Sequence, residues 1–251
     1  PELTGEEKNT RDAIHRDLEA LGITDIRDMV NCYGLVATIH GGKPGKTVAL
    51  RADIDALPVK EETGLPFASH NEGKMHACGH DNHMAMLLGA AKLLQEHREE
   101  LRGDVRLIFQ PAEEHVIGSK AMIAEGALDG VDAIFGQHVW GTLDIPYIDV
   151  TAGPRMAYSG RFTVDVIGTS SHAATPHLGA DAITGAAAII NNLQQYVSRM
   201  SNPLDPVVLT IGTISGGNRY NAIANHVTME GVTRAYFLDK HEEAMRQIVE
   251  N

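Results

Sequence analysis

Apolar positions recur at helical spacing near the start of the chain. Ala13, Ile14, Leu18 and Leu21 share one stripe, behind Thr4 and Glu7 in the arrangement of a capping box and ahead of a stop at Gly22. This pattern predicts a first amphipathic helix. From Asn31 to Ile39 and from Thr47 to Ala52 the period becomes strand-like, with Gly41-Gly42-Lys43-Pro44-Gly45 between as a turn, which predicts a hairpin or adjacent strands. A second helical stripe, Met84, Leu87, Leu88, Ala91 and Leu94, predicts a helix over 84–97. Then follow Gly103, a strand at Val105–Phe109, a helix near 118–125 and a strand at Ala133–Phe135. Strands alternating with helices predict an α/β fold with a mostly parallel sheet, and such sheets bind ligands at the carboxyl ends of their strands.

Beyond Gly153-Pro154 the pattern changes. A strand (Gly160 to Val166), a Gly/Ser/His loop, a helix (Asp181 to about Arg199), a strand (Val207 to Ile214), a turn at Gly216-Gly217, a strand (Val227 to Phe237) and a helix from about Asp239 follow. The order β-α-β-β-α is a ferredoxin-like α+β unit short of its last strand. The chain therefore reads as two domains: residues 1–154, and a smaller domain over 155–251 with its last strand missing.

Composition excludes several partners. The 251 residues carry 21 Lys+Arg against 33 Asp+Glu, net charge -12, with no basic stretch to follow a phosphate backbone, so nucleic acid is not expected. No apolar run approaches the roughly 18 residues of a membrane span. The polar start, Pro1-Glu2-Leu3-Thr4, has no initiator Met and no signal-peptide character, and reads as processed or cut from something longer. Cys32 and Cys78 are far apart, which argues against a disulfide framework and for a reduced, cytoplasmic setting.

Seven of the 13 His fall between positions 70 and 138, and the densest stretch is His76-Ala77-Cys78-Gly79-His80-Asp81-Asn82-His83. Cys78 and His80 are two apart, a spacing that converges in extended chain and diverges on a helix, which places the pair on a loop entering the helix. Three predicted strand ends carry further polar groups: Asp53 and Asp55, then Glu113 and Glu114, then His138. Cys78, His80, Glu114 and His138 offer the thiolate, imidazole and carboxylate ligands that zinc accepts and that manganese or cobalt also use. Any one of them alone reads equally well as a packed or surface residue; together at strand ends they point to a metal. Glu113-Glu114 reads either as a solvated pair or as one metal ligand beside one base, the division that metal-assisted hydrolysis needs. Asp55 and Asp81 read as groups orienting ligand imidazoles, or as capping and turn residues.

In the small domain, His172 of Ser171-His172-Ala173-Ala174 is a solvated loop residue or a donor to a developing oxyanion. Asn221 and Arg234 are candidates to bind a substrate carboxylate, with a surface ion pair as the alternative for Arg234.

These residues fall in a recognisable series: Arg51-Ala52-Asp53-Ile54-Asp55-Ala56-Leu57-Pro58, Met75-His76-Ala77-Cys78-Gly79-His80-Asp81, Gln110-Pro111-Ala112-Glu113-Glu114, Gly136-Gln137-His138-Val139-Trp140, Ser171-His172-Ala173-Ala174-Thr175-Pro176-His177 and Asn221-Ala222-Ile223-Ala224-Asn225. The series resembles the dinuclear amidohydrolases related to aminoacylase and carboxypeptidase G, nearest the branch of hippurate hydrolases and auxin-conjugate hydrolases. The resemblance runs from residue 1 to about 237. It implies an α/β catalytic domain with an inserted lid that dimerises, and two divalent ions per subunit: zinc or manganese, with cobalt or nickel as alternatives. It implies Cys78 as bridging ligand, His80, Glu114 and His138 as further ligands, and Glu113 as general base. It further implies that His172 polarises the scissile carbonyl, often from the partner subunit of a homodimer, and that Asn221 and Arg234 hold the substrate's carboxylate end.

The implied reaction is hydrolysis of the amide of an N-acyl amino acid. A carboxypeptidase or dipeptidase, or a non-catalytic metal-binding module, is the alternative. The pattern departs from the family in three places, of which one is a start without the helix and strand residues that usually precede Pro1-Glu2-Leu3. Nothing after Arg234 resembles the returning segment with one more His ligand, since His241 lies in a charged helix, so the sequence reads as truncated. Ala222 to Asn225 also replaces a Val-Ile-Pro-Asp type run.

Overall fold

The computed structural model describes residues 1–250, which divide into two compact units, Pro1–Ile148 and Asp149 onward. The first unit contains α1 (Lys8–Ala20), β1 (Asp25–Asp28), β2 (Leu35–Ile39), β3 (Val48–Asp53), α2 (His80–Glu96), β4 (Val105–Gln110), α3 (Gly118–Ala124) and β5 (Ala133–Gly136). Its sheet has the order β1-β2-β4-β3-β5. Ile14 and Leu18 of α1 and Leu87 and Ala91 of α2 bury against Leu35, Ala37, Leu107 and Phe109. The opposite face, with Val36, Ala49 and Ile108, is covered by Met122 of α3 and by Ala127. With both faces covered, β2 is buried at all five positions and reads as a continuous apolar run instead of an alternating one.

The sheet is mixed, where the sequence pattern predicted mostly parallel: β3 pairs in parallel with β4 and β5, while β1–β2 and β2–β4 are antiparallel. The predicted hairpin of β2 with β3 is also not formed. β4 inserts between them, aligning Leu35 with Phe109 on one side and Asp53 with Gln110 on the other. The apolar run Leu107-Ile108-Phe109 has matching surfaces on both faces, and it takes the centre. The short β1, Asp-Ile-Arg-Asp, carries too little apolar pattern to be read from sequence and suits a charged edge.

The capping box at Thr4 and Glu7 does not form, and α1 starts without a side-chain cap. Thr4 Oγ1 donates instead to Asp55 Oδ2 at 2.7 Å, and the buried Glu7 accepts the Ala112 amide at 2.9 Å.

The second unit contains β6 (Tyr158–Ile167), α4 (Ala182–Gln195), β7 (Val207–Gly216), β8 (His226–Ala235) and α5 (Leu238–Glu250), the predicted order. Its antiparallel sheet has the order β6-β8-β7. Asp181 caps α4 through the Ile183 amide at 3.0 Å. Along β8, Val227, Met229, Gly231, Thr233 and Ala235 turn inward. A Cβ on Gly231 would sit 2.3 Å from the Phe162 ring, so this central position admits no side chain. No helix among the described residues is long and apolar enough to cross a membrane.

Candidate active site

The parallel strands β4, β3 and β5 end side by side, and the chain just beyond each end supplies a polar group: Glu113 and Glu114 after β4, Asp53 and Asp55 at the end of β3, and His138 after β5. The amino end of α2 faces the same edge. His80 is its first residue, entered through Gly79 in the left-handed conformation (φ +84°). The buried positions on α2 are His80, His83, Leu87 and Ala91, one stripe at helical spacing. The stripe that first reads as apolar from Met84 onward therefore begins with two histidines.

Ligand-type atoms converge here. Cys78, His80 and His138 each present one within 4.8 Å of the others, as do His80, Glu113 and Glu114, with His80 common to both sets. Cys78 Sγ lies 3.4 Å from His138 Nε2, and His80 Nε2 lies 3.8 Å from Glu114 Oε1. Hydrogen bonds on the far side of each ring set its tautomer. His80 Nδ1 donates to the Asp55 carbonyl at 2.8 Å, and His138 Nδ1 donates to the Val139 carbonyl at 2.6 Å, so both rings turn an Nε2 lone pair inward. His80 Nε2 and Glu114 Oε1 are buried with no hydrogen-bond partner. An imidazole lone pair facing a carboxylate oxygen is repulsive unless a proton or a cation sits between them. The set of one thiol, two imidazoles and a carboxylate fits a divalent metal ion.

Charges in the site follow from burial and neighbours. Burial, then the Glu114 charge, pushes the Cys78 thiol up to about 11. Glu113 is raised by burial and by Glu114 and Asp53. Burial would also raise Asp55, but the His80 ring beside it and hydrogen bonds from Thr4 and the backbone of Glu114 outweigh it and hold the carboxylate at about 2. His80 is raised despite burial, because Asp55 accepts its proton and Asp53 adds a second negative charge.

Asp55 has a testable consequence. Its folded value lies below the ordinary 3.8, so its stabilisation is present above about pH 4 and is lost as pH falls to about 2. The amount is roughly 2 kcal/mol. Acid titration followed by circular dichroism should show that loss, and Asp55→Asn should reduce the pH dependence in this window by the Asp55 share. Equal acid slopes for the two proteins would refute the assignment.

Asp81 is placed differently from the reading that made it a group orienting an imidazole. Its side chain is exposed and accepts the Asn82 amide at 2.9 Å, which is a helix-start contact. The carboxylates against the histidines are those of Asp53 and Asp55. His76 is half-buried and lines a groove of about 530 Å³ between α1 and α2, together with Asp81 and Met84. That groove does not include Cys78, His80, Glu113, Glu114 or His138.

In the second unit, His172 and Asn221 lie together. Ala173 N donates to the Asn221 carbonyl at 3.1 Å and Ile223 N to the Ser171 carbonyl at 2.9 Å. His172 Nδ1 accepts the Ala174 amide at 3.1 Å, which puts the ring proton on Nε2. Arg234 is not with them. It sits eight residues along β8 from His226, roughly 26 Å at strand rise, so it lies at the other end of this sheet.

The sequence profile of peptidase family M20/M25/M40 matches residues 49–247. The chain belongs to this family. An N-acetyl-L-cysteine deacetylase of Bacillus subtilis is 47% identical over 236 residues, covering 94% of this chain and 56% of that protein. An IAA-amino acid hydrolase of Arabidopsis thaliana is 45% identical, covering 94% of this chain and 53% of the relative. The M20 chain thus spans little more than half the length of these curated relatives. Among solved structures, a dinuclear metal-binding M20 peptidase of Bacillus subtilis superposes with a TM-score of 0.80 at 38% identity, covering 99% of this chain and 65% of that one.

Four residues at this site carried no role in the sequence reading. Thr4 and Glu7 were masked by their resemblance to a helix cap. Asp53, which stood at a strand end without a partner, is buried between Arg51, at 2.6 Å, and His83. His83 itself could have been found from its spacing, three residues after His80 and four before Leu87.

Proposed function

We propose that this chain carries the catalytic centre of a metal-dependent amidohydrolase that cleaves the amide joining an acyl group to an amino acid. The observation that carries this reading is the convergence of Cys78, His80, Glu114 and His138 with a second carboxylate, Glu113, adjoining them. These four residues would hold divalent ions, zinc or manganese, which lower the pKa of water to about 7 and polarise a carbonyl. Glu113 is the general base. Burial and the neighbouring Glu114 raise its proton affinity, which suits a group that takes a proton from the attacking water and returns it to the leaving amine. The main-chain carbonyl of Asp55 holds the His80 ring through Nδ1, with the Asp55 carboxylate 3.3 Å from the same nitrogen.

Residues 155–251 act in this reading as a lid and dimerisation domain, and residues 1–154 as the catalytic domain. His172, with its proton on Nε2, donates to the carbonyl oxygen as it becomes an oxyanion. Asn221 and Arg234 contact the substrate's carboxylate end. Because the two lie at opposite ends of one sheet, a single carboxylate meets both only if they come from different copies, which supports a homodimer.

One relative's name describes an N-acetylated amino acid and the other's an IAA-amino acid. The test is a hydrolysis screen of N-acetyl- and N-aroyl-amino acids against dipeptides, with zinc or manganese supplied and bound metal counted. Faster turnover of the acyl amino acids is expected. Preference for dipeptides would replace the reading with a dipeptidase. No turnover with at most one ion per chain would replace it with a binding module.

A further inference from the structure

His83 is buried, polar and unused by the reaction just described, and both of its ring nitrogens are engaged. Nε2 lies 2.9 Å from the Val139 amide nitrogen. A backbone N–H only donates, so Nε2 is the acceptor and the ring proton sits on Nδ1, which donates to Asp53 Oδ1 at 2.5 Å. His83 therefore has no lone pair to offer a metal, although it lies near His80 and Asp53.

The residue it grips by the amide is the one whose carbonyl sets the neighbouring ligand. The carbonyl of Val139 accepts His138 Nδ1 at 2.6 Å and so aims His138 Nε2 at Cys78. Val139 is held on a second side as well. A Cβ on Gly79, between Cys78 and His80, would fall 2.3 Å from Val139 Cγ2, so only glycine lets Val139 pack there. Behind His83 the anchor continues through Asp53 to Arg51 and from Arg51 to Gln110, on β3 and β4.

We propose that His83 is a positioning residue: it fixes the backbone of Val139 at its amide and, through the carbonyl of that same residue, the direction in which His138 presents its ring to Cys78 and His80. The proposal rests on the metal-site reading above, but its geometric half stands without metal.

The test separates the two. In the metal-free 251-residue chain, the Val139 amide should be protected from hydrogen exchange and the His83 ring should show the Nδ1-protonated tautomer by nitrogen NMR. His83→Leu removes the acceptor and should expose the Val139 amide. His83→Gln places an amide oxygen where Nε2 was and should restore protection. Cobalt titration, read by the thiolate-to-cobalt absorption, should show affinity lowered 10- to 100-fold in His83→Leu and within threefold of the parent in His83→Gln. An unprotected Val139 amide or an Nε2-protonated His83 in the parent chain would overturn the proposal, even if His83→Leu fails to fold. Parent-level cobalt affinity in a folded His83→Leu would overturn it too. A parent chain that binds no cobalt would overturn the metal-site reading and leave the amide and tautomer readouts to judge His83.

Discussion

Glu113→Gln should lower amide hydrolysis by about 10² to 10⁴-fold, the usual contribution of a general base. This corresponds to roughly 3 to 5 kcal/mol of barrier. The change keeps the side chain's size and removes only its basicity. Glu113 and Glu114 repel each other in the folded protein, which is part of why Glu113 holds its proton more tightly than an ordinary carboxyl. Neutralising Glu113 relieves that repulsion, so bound metal should persist or increase while turnover falls. The loss should appear in kcat, with KM little altered, because the base acts in the transition state and not in holding the substrate. Metal content by atomic emission alongside steady-state kinetics checks both halves. Residual activity above a tenth of the parent would remove Glu113 from the role of base, and loss of metal together with activity would make it a ligand.

Metal affinity should rise about tenfold per pH unit between pH 7 and 9 from Cys78 alone, roughly 100-fold in all. A thiolate, not a thiol, binds metal, so loading an ion expels the proton. Burial and the Glu114 charge keep the Cys78 proton in place up to about pH 11, so the competition extends across the whole working range. Calorimetry in buffers of different ionisation enthalpy should count one proton released for this group. Cys78→Asp substitutes a ligand that is already ionised at these pH values and should reduce the slope by one proton. A slope unchanged in Cys78→Asp would exclude the thiol from the ligand set.

The elements and their order were legible wherever local pattern and tertiary packing agree. The helical stripe around Ile14 and Leu18, the apolar run at β4 and the order of elements after Gly153 all formed. The site was legible as residue types at strand ends, because parallel strands bring their carboxyl ends together whatever order they take. Three things were not legible. Thr4 and Glu7 have the spacing of a cap, and only the approach of Asp55 and Ala112 redirects their side chains. The hairpin expected between β2 and β3 depends on nothing longer-range intervening, and β4 intervenes because both its faces find apolar partners. Asn221 and Arg234 were both candidates for one substrate carboxylate, but extended chain separates them by the length of β8.

By itself, the sequence determined the chemical inventory of this protein and the edge on which it gathers. Thiol, imidazole and carboxylate are properties of residue types, and helix and strand periods are local. Tertiary structure alone decided what each group does there. Which ring nitrogen faces inward depends on a carbonyl, that of Asp55 from another segment for His80 and that of the adjoining Val139, itself held by His83, for His138. His83, identical in type to His80 and three residues away, is kept from ligand duty because Asp53 and the Val139 amide occupy both its nitrogens. A hydrogen bond forms between atoms about 3 Å apart, and which atoms those are is set by the packing of β3, β5 and α2 against one another.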